Sequence, residues 1–413
     1  MGRLKPISAG RGERIRLDPH VANPQFLLSN GFHWDTEVSV IDLFSGAGGM
    51  SFGLDTSEGL RVTAAFERDP DACETHRANM PAPVIEADVS EIEDFRRILK
   101  SQGVRRVDAI VGGPPCKGFS RLGKGALRKI AMENGRPEAA DDRRSRSAQD
   151  DRNWMFRHFM RAVRQLRPQV VVMENVPEML DHTPVIEELL EVFNDLDYCS
   201  DTRVLNAEMY GVPQRRRRLF VVAAKEVTEI PWPAPTSVRR TVRDAIADLP
   251  VIEAGHMEEA LPWVRPDPCG PYLREMRKGI RGHEARVVRA HVTRVHRPED
   301  LEAFGYMGEG DKYSSVPERL RRYRDDIFSD KYHRMIWDEP SWTVTAHLAK
   351  DGYKYIHPDQ CRTLSVREAA RLQSFPDRFR FAGPRTSRFR QIGNAVPPLL
   401  GRALGETIRQ LVR

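Results

Sequence analysis

From Val38 onward the chain alternates short runs of β-branched and aliphatic residues with longer stretches whose apolar positions recur at helical spacing. The runs Val38–Leu43, 61–66, 84–87, 107–111, 170–173 and 219–224 read as strands, and 71–79, 92–100, 154–166 and 184–196 as the helices between them. Strands separated by single helices imply βαβ units. The pattern therefore predicts an α/β fold: a doubly wound, mostly parallel, Rossmann-like sheet.

The alternation stops at 231–235, where Pro-Trp-Pro-Ala-Pro reads as a linker. From 226 to 340 periodicity is weak and loops dominate, and helical patterning returns at 366–373 and 397–413. At 413 residues the chain is too long for one ordinary core. The division this predicts is an N-terminal extension at 1–35, an α/β lobe at 36–225, a smaller irregular domain at 226–340, and a C-terminal segment at 341–413. Residues 121–152, polar and densely charged, read as a mobile loop.

Charge changes the picture locally more than globally. Lys plus Arg is 65 against 59 for Asp plus Glu, a net +6 that is modest for a nucleic-acid binder. The stretch 277–297, however, holds seven Lys/Arg against the single acid Glu284, with His283, His291 and His296 between them. Arginine outnumbers lysine 54 to 11, and the guanidinium suits forked contacts with phosphates and base edges, although a biased genome would give the same excess. Five widely spaced cysteines without a CxxC pair argue against a disulfide framework or structural zinc. No apolar run approaches the roughly 20 residues needed to cross a bilayer, so a cytoplasmic protein without membrane attachment is expected.

Candidate chemistry collects at the strand ends. Asp42-Leu43-Phe44-Ser45-Gly46-Ala47-Gly48-Gly49 leaves the first strand and enters a helix-like segment. Glycines there let a ligand approach the backbone beside a helix N-terminus. Glu67, closing the second strand 21 residues beyond Gly46, can accept hydrogen bonds from ribose hydroxyls. Ser51 holds the last place of a GxGxxG pattern, so an adenosine cofactor without a pyrophosphate is favoured over a dinucleotide. The bland alternative is a tight structural turn. Asp88, after the third strand, stands where it would meet an adenine amino group, or simply cap the segment that follows Ser90.

The fourth strand runs into Gly112-Gly113-Pro114-Pro115-Cys116-Lys117-Gly118-Phe119-Ser120. This puts a thiol at the carboxyl edge of a parallel sheet, where ligands bind and a nucleophile is expected rather than an inert core cysteine. The fifth brings Glu174-Asn175-Val176 to the same edge, and a buried carboxyl beside a thiol suggests acid or hydrogen-bond assistance. In Gln214-Arg215-Arg216-Arg217-Arg218, strand alternation places Arg216 and Arg218 on one face with Gln214; the run reads either as a solvated or phosphate-binding patch or, more sharply, as two arginines pointing together into the cleft.

These strings, in order, with Arg362-Thr-Leu-Ser-Val-Arg-Glu-Ala-Ala-Arg-Leu-Gln-Ser-Phe-Pro-Asp377 and Gln391-Ile-Gly-Asn-Ala-Val-Pro397, resemble the cytosine-5 DNA methyltransferase family of the bacterial Dcm type. The resemblance covers most of 38–225 and 340–400. It implies methyl transfer from S-adenosylmethionine to C5 of a cytosine flipped out of duplex DNA. It implies a cofactor pocket lined by Phe44, Gly46, Gly48 and Gly49, with Glu67 on the ribose, Asp88 on the adenine and Asn394 at the methionine end. Cys116 becomes the nucleophile and Glu174 its partner, while Arg216 and Arg218 hold the extruded base or the adjacent phosphates. The irregular domain takes the place of the family's target-recognition domain, with DNA contacts expected from Lys117, Ser120, Arg281, Arg286, Arg289 and Arg294, and the loop at 121–152 closes over the base.

No metal is expected. The expected partner is double-stranded DNA; the enzyme is expected to be either the protective half of a restriction–modification system, with a cognate restriction endonuclease acting on the same site, or an orphan modifier without one, and a monomer in a bacterial cytoplasm, nucleoid-associated when bound to DNA. Lys117 departs from the family, which usually has glutamine after the nucleophile; a cation there would lower the thiol pKa or contact a phosphate. Two other readings stand beside this one: a transfer-RNA cytosine methyltransferase on the same scaffold, and an inactive paralogue that only binds DNA.

Overall fold

The computed structural model describes residues 37–115, 155–322 and 331–412. The extension at 1–35, the loop at 121–152 and the residues Cys116, Lys117 and Ser120 lie outside the described residues. The central sheet has seven strands, β1 (Val38–Leu43), β2 (Leu60–Glu67), β3 (Val84–Glu86), β4 (Ala109–Gly112), β5 (Val170–Asn175), β6 (Cys199–Asn206) and β8 (Arg217–Ala224), in the order β3-β2-β1-β4-β5-β8-β6. It is parallel from β3 through β5, and β8 runs antiparallel to both β5 and β6. The two-residue β7 (Gln214–Arg215) pairs instead with β11 (Ser341–Trp342).

The uniformly apolar strands are explained by burial on both faces. Val40, Val111 and Val172 join one core with Leu54, Leu400 and Leu404, whereas Ile41, Ile110 and Val171 join another with Phe95, Phe159 and Leu189. Helices α1 (Gly49–Asp55), α2 (Pro70–Asn79), α3 (Phe95–Ser101), α4 (Met155–Leu166) and α5 (Thr183–Asp195) alternate with the strands. Beyond the sheet come α6 (Val242–Ile246), the antiparallel pair β9 (Ala260–Pro262) and β10 (Val287–Arg289), α7 (Pro271–Met276) and α8 (Pro298–Gly305). The chain then returns through α9 (Val366–Leu372), α10 (Arg385–Asn394) and α11 (Pro398–Leu411). A Cβ on Gly53 would lie 2.3 Å from the Pro398 carbonyl oxygen, so α1 and α11 pack backbone to backbone.

Two elements depart from the sequence pattern. Strand β6 is largely polar (Cys-Ser-Asp-Thr-Arg-Val-Leu-Asn) because it is the sheet edge and mostly half-exposed. Helix α10 has only two large apolar residues, Phe389 and Ile392, both buried. The fourth strand starts at Ala109 rather than 107; just before it the Ser39 N–H of β1 donates to the Asp108 carboxylate at 2.8 Å rather than to a backbone carbonyl.

Arginine orders the irregular region. Regular elements satisfy their own backbone groups, but loops leave carbonyls that need donors. Buried Arg334 donates to the carbonyls of Phe304, His357 and Pro358. Arg371, fully buried, forks onto Asp377 at 2.8 and 2.7 Å and also reaches Asp248 and the Ala245 carbonyl. Arg362 forks onto Glu368, which with Ser365 forms the capping box that starts α9. The long string 362–377 is thus a buried brace between the sheet and the irregular region.

Candidate active site

Five parallel strands end at one edge, and the chain crosses from β3 back past β1 to β4, leaving a cleft of the kind in which open α/β sheets bind ligands. A cavity of about 1320 Å³ lies there. At the end of β1 the backbone passes through positive φ at Phe44 (58°) and Gly46 (56°). The Gly46 N–H donates to Glu67 Oε2 at 2.8 Å, and the N–H groups of Arg68 and Asp69 donate to Oε1 at 2.9 and 2.8 Å. Glu67 is therefore oriented by three backbone donors. Phe44, Gly46, Glu67, Asp88 and Asn394 all line the cavity.

Gly48 and Gly49 do not. A Cβ on Gly48 would lie 2.2 Å from Met80 Cε, and one on Gly49 2.3 Å from the Val396 carbonyl oxygen. Their lack of a side chain lets neighbouring segments close on the turn, which corrects the expectation that they line a ligand pocket. Ser51, which breaks the GxGxxG pattern, donates to Asp42 Oδ2 at 2.5 Å and lies 3.3 Å from His76 Nε2. Burial pushes the Asp42 carboxyl up to about 7 against the opposing Ser51 bond, and burial pushes His76 down to about 4. Asp42 belongs to the cavity wall, so the serine supports a desolvated carboxyl there.

Asp88 fills the capping role and lines the cavity as well. Its Oδ1 accepts from the Ser90 N–H and hydroxyl at 2.9 and 2.7 Å, while Oδ2 accepts from Arg68 Nη1 at 2.8 Å. Burial works against its charge, but these bonds outweigh it and hold the carboxyl below its ordinary value.

On the β4–β5 side, Glu174 lies against Gly113, where a Cβ would come within 2.8 Å of Glu174 Oε2. Arg218 Nε is 3.0 Å from Glu174 Oε1, with the two side chains only 14% and 13% exposed. Burial raises the Glu174 pKa, opposed first by Arg218 and then by Arg216. Asn175 Nδ2 donates to the Pro114 carbonyl at 3.1 Å and so fixes the segment that leads to Cys116. That role was not read from the sequence.

Arg216 corrects a second expectation. It is fully buried and donates to the carbonyls of Val344 (2.8 Å) and Gly393 (3.1 Å). Alternation fails because β7 pairs with β11 while β8 pairs with β5 and β6, so Arg216 sits at the break between them. Only Arg218 of the expected pair lines the cavity, together with Arg215 and Arg217. Arg216 ties together two walls instead: Thr343 and Thr345 flank Val344, and Asn394 follows Gly393. Gln214 reinforces this junction, accepting from the Val344 N–H and donating to Gln373 Oε1. Thr343, Thr345 and Arg390 are cavity residues that carried no sequence signal.

The family model for C-5 cytosine-specific DNA methylases matches residues 38–410. The chain belongs to this family. It is 34% identical to the type II methyltransferase M1.HphI of Haemophilus parahaemolyticus, over 94% of this chain and 91% of that one. It is also 34% identical to M.XorII of Xanthomonas oryzae, over 90% and 85%. Among solved structures it resembles a candidate DNA modification methyltransferase encoded in an E. coli prophage, with a TM-score of 0.71, 26% identity, and coverage of 91% of this chain and 99% of that one. The chain is thus a DNA cytosine-5 methyltransferase with an α/β Rossmann-like fold.

In this methylase the basic stretch 277–297 is not one exposed stripe. Arg294 is buried and donates to the Leu348 and Lys350 carbonyls. Arg289 is forked onto Glu284 at 2.8 and 2.6 Å. Arg277 is buried against the Trp263 ring and paired with Asp377 at 2.8 Å. Arg294 is therefore withdrawn as a DNA contact and Arg289 is neutralised, which leaves Arg281 and Arg286 exposed among the four expected contacts, with Lys278 and Arg297 also exposed in the same stretch. Among the described residues no helix is long and apolar enough to cross a membrane, and no group of three His, Cys, Asp or Glu could hold a metal ion.

Proposed function

We propose that the methylase uses S-adenosylmethionine to modify cytosine within a short duplex site, as a monomer and as the protective half of a restriction–modification pair. The observation that carries this reading is the position of Glu174. It is buried, ion-paired with Arg218, and set against the strand end that leads through Pro114 and Pro115 to Cys116, in the same cavity as Glu67 and Phe44. The donor set suits an adenosine cofactor: Glu67, oriented by backbone N–H groups, would accept from the ribose hydroxyls, Asp88 from the adenine amino group, and Asn394 would meet the methionine end. When bound, S-adenosylmethionine supplies an electrophilic methyl group.

C5 of cytosine is too weak a nucleophile to take that methyl group unaided. Cys116, as thiolate, forms a bond to C6, and the displaced electron pair makes C5 enamine-like. Glu174 hydrogen-bonds the N3/N4 edge, and its burial favours the protonated form able to donate to N3. After C5 is methylated, loss of its proton and breaking of the Cys116–C6 bond restore the aromatic ring. Arg218 would hold O2 of the base or a neighbouring phosphate. Because C5 and C6 are inaccessible inside a stack, the base is first extruded, at a cost of a few kcal/mol.

The test is transfer of labelled methyl groups from S-adenosylmethionine to duplex DNA and to transfer RNA. DNA should be labelled, Cys116→Ala should abolish labelling, and Glu174→Gln should slow it by roughly 10²–10⁴-fold. Labelling of transfer RNA alone would overturn the assignment. Bisulfite sequencing of the host genome then gives the target sequence.

A further inference from the structure

Of the four consecutive arginines at 215–218, three already have partners. Arg215 lies 3.5 Å from Glu208 and pairs also with Glu339, which Arg239 shares. Arg216 is buried on the carbonyls of Val344 and Gly393, and Arg218 is ion-paired with Glu174. Arg217 differs. It is exposed and lines the cavity, and among the described residues its side chain makes no hydrogen bond or ion pair.

Strand register fixes where that cation stands. β8 runs antiparallel to β5, with Phe220 opposite Glu174 and Leu219 opposite Asn175, the last residue of β5. Arg218 and then Arg217 therefore lie beyond the end of β5, towards the cavity mouth, where Arg217 pairs with Asn206 at the end of β6. From the inside outwards the order is carboxyl, paired guanidinium, unpaired guanidinium. A cytosine nucleotide has a matching order: the N3/N4 edge, then O2, then the N1 bond to the sugar, then the phosphates. A base seated with its N3/N4 edge on Glu174 and O2 towards Arg218 turns its sugar and phosphates outwards, beside Arg217. A guanidinium forks onto phosphate oxygens, and here no carboxylate competes for it.

Resting on the reading that Glu174 and Arg218 receive the extruded cytosine, we infer that Arg217 positions that nucleotide by binding a phosphate beside it. Arg217 takes the backbone contact expected of Arg216 and leaves Arg218 to the base. Because the contact forms only once the nucleotide has swung into the cavity, it favours the extruded over the stacked conformation.

Equilibrium binding of the full chain, with S-adenosylhomocysteine present, to a duplex carrying the site found by bisulfite sequencing tests this. In Arg217→Gln the slope of log affinity against log salt should fall by about 0.9, the value of one phosphate contact. Arg217→Lys, which keeps the charge, should retain most of that slope. Replacing one flanking phosphate at a time by a neutral methylphosphonate locates the contact: one of the two duplexes should bind the wild type more weakly and leave Arg217→Gln unaffected. A wild-type slope in Arg217→Gln, or equal losses in both proteins on both methylphosphonate duplexes, would overturn the inference. Methyl transfer by Glu174→Gln at the wild-type rate would remove the seat of the base, and Arg217's role with it. A slow Glu174→Gln beside an Arg217→Gln of unchanged slope would remove Arg217 alone.

Discussion

Around the cavity, Glu67, Asp88 and Glu174 are each held by neighbours and still reach open space. In the irregular region and its brace, Arg277, Arg294, Arg334, Arg362, Arg367 and Arg371 are withdrawn from solvent, with donors turned onto carbonyls and carboxylates. The difference follows from secondary structure. The sheet satisfies its own backbone, so its polar side chains are free to face a ligand. The irregular region does not, and the five-donor guanidinium supplies what the loops lack. Arginine density is therefore a poor guide to DNA contact here.

The largest test of that contrast is Arg371→Met. It would remove the buried pairs with Asp377 and Asp248, leaving Asp377 to Arg277 and Asp248 to the Trp263 indole, and removing one partner from a buried ion pair costs about 3–5 kcal/mol. Denaturant unfolding should show a loss of that order, whereas a loss under 1 kcal/mol would mean that these arginines do not hold the region together.

Acid should act through the same region. His357 Nδ1 accepts from the N–H groups of Asp359 and Gln360, so the ring must be unprotonated on that atom, and burial pushes both His357 and His296 down to about 4. Their folded values lie below the unfolded value of 6.5, so the stability they contribute is complete above pH 6.5 and lost as pH falls towards 4. Each is worth roughly 3–4 kcal/mol at about 1.4 kcal/mol per pH unit. Thermal midpoints should fall between pH 7 and 5, less steeply in His357→Gln; a flat profile would break the account.

DNA binding should separate exposed arginines from buried ones. Neutralising Arg281 and Arg286 together should reduce the slope of log affinity against log salt by about 2, at roughly 0.9 per phosphate contact. Arg294→Ala should lower stability and leave that slope unchanged. The smallest effect belongs to Arg289→Ala, which breaks a half-exposed pair and should cost under about 1 kcal/mol in melting experiments.

The parts of the fold with a strong period were legible in the sequence. Six of the strands, and the glycine turn that brings Gly46 onto Glu67, follow from apolar runs and spacing. Strand β6 and helix α10 did not, because an edge strand and a helix with few large apolar residues carry little hydrophobic signal. At the site, Glu174 and Glu67 were legible as polar residues closing buried strands. The fate of Arg216 was not: alternation predicts a shared face only while one strand continues, and here pairing changes partner at that residue. Thr343 and Thr345 reach the cavity from a segment more than 100 residues away along the chain, a closeness that local pattern does not encode.

The central claim is that Cys116 attacks C6 of an extruded cytosine. A duplex target carrying 5-fluorocytosine tests it most directly, because fluorine at C5 cannot leave as a proton and the adduct persists after methylation. With S-adenosylmethionine present, the wild type should form a denaturant-resistant protein–DNA complex whose linked peptide contains Cys116, and Cys116→Ala should form none. A cross-link that survives in Cys116→Ala, or methylation by that variant at the wild-type rate, would contradict the mechanism.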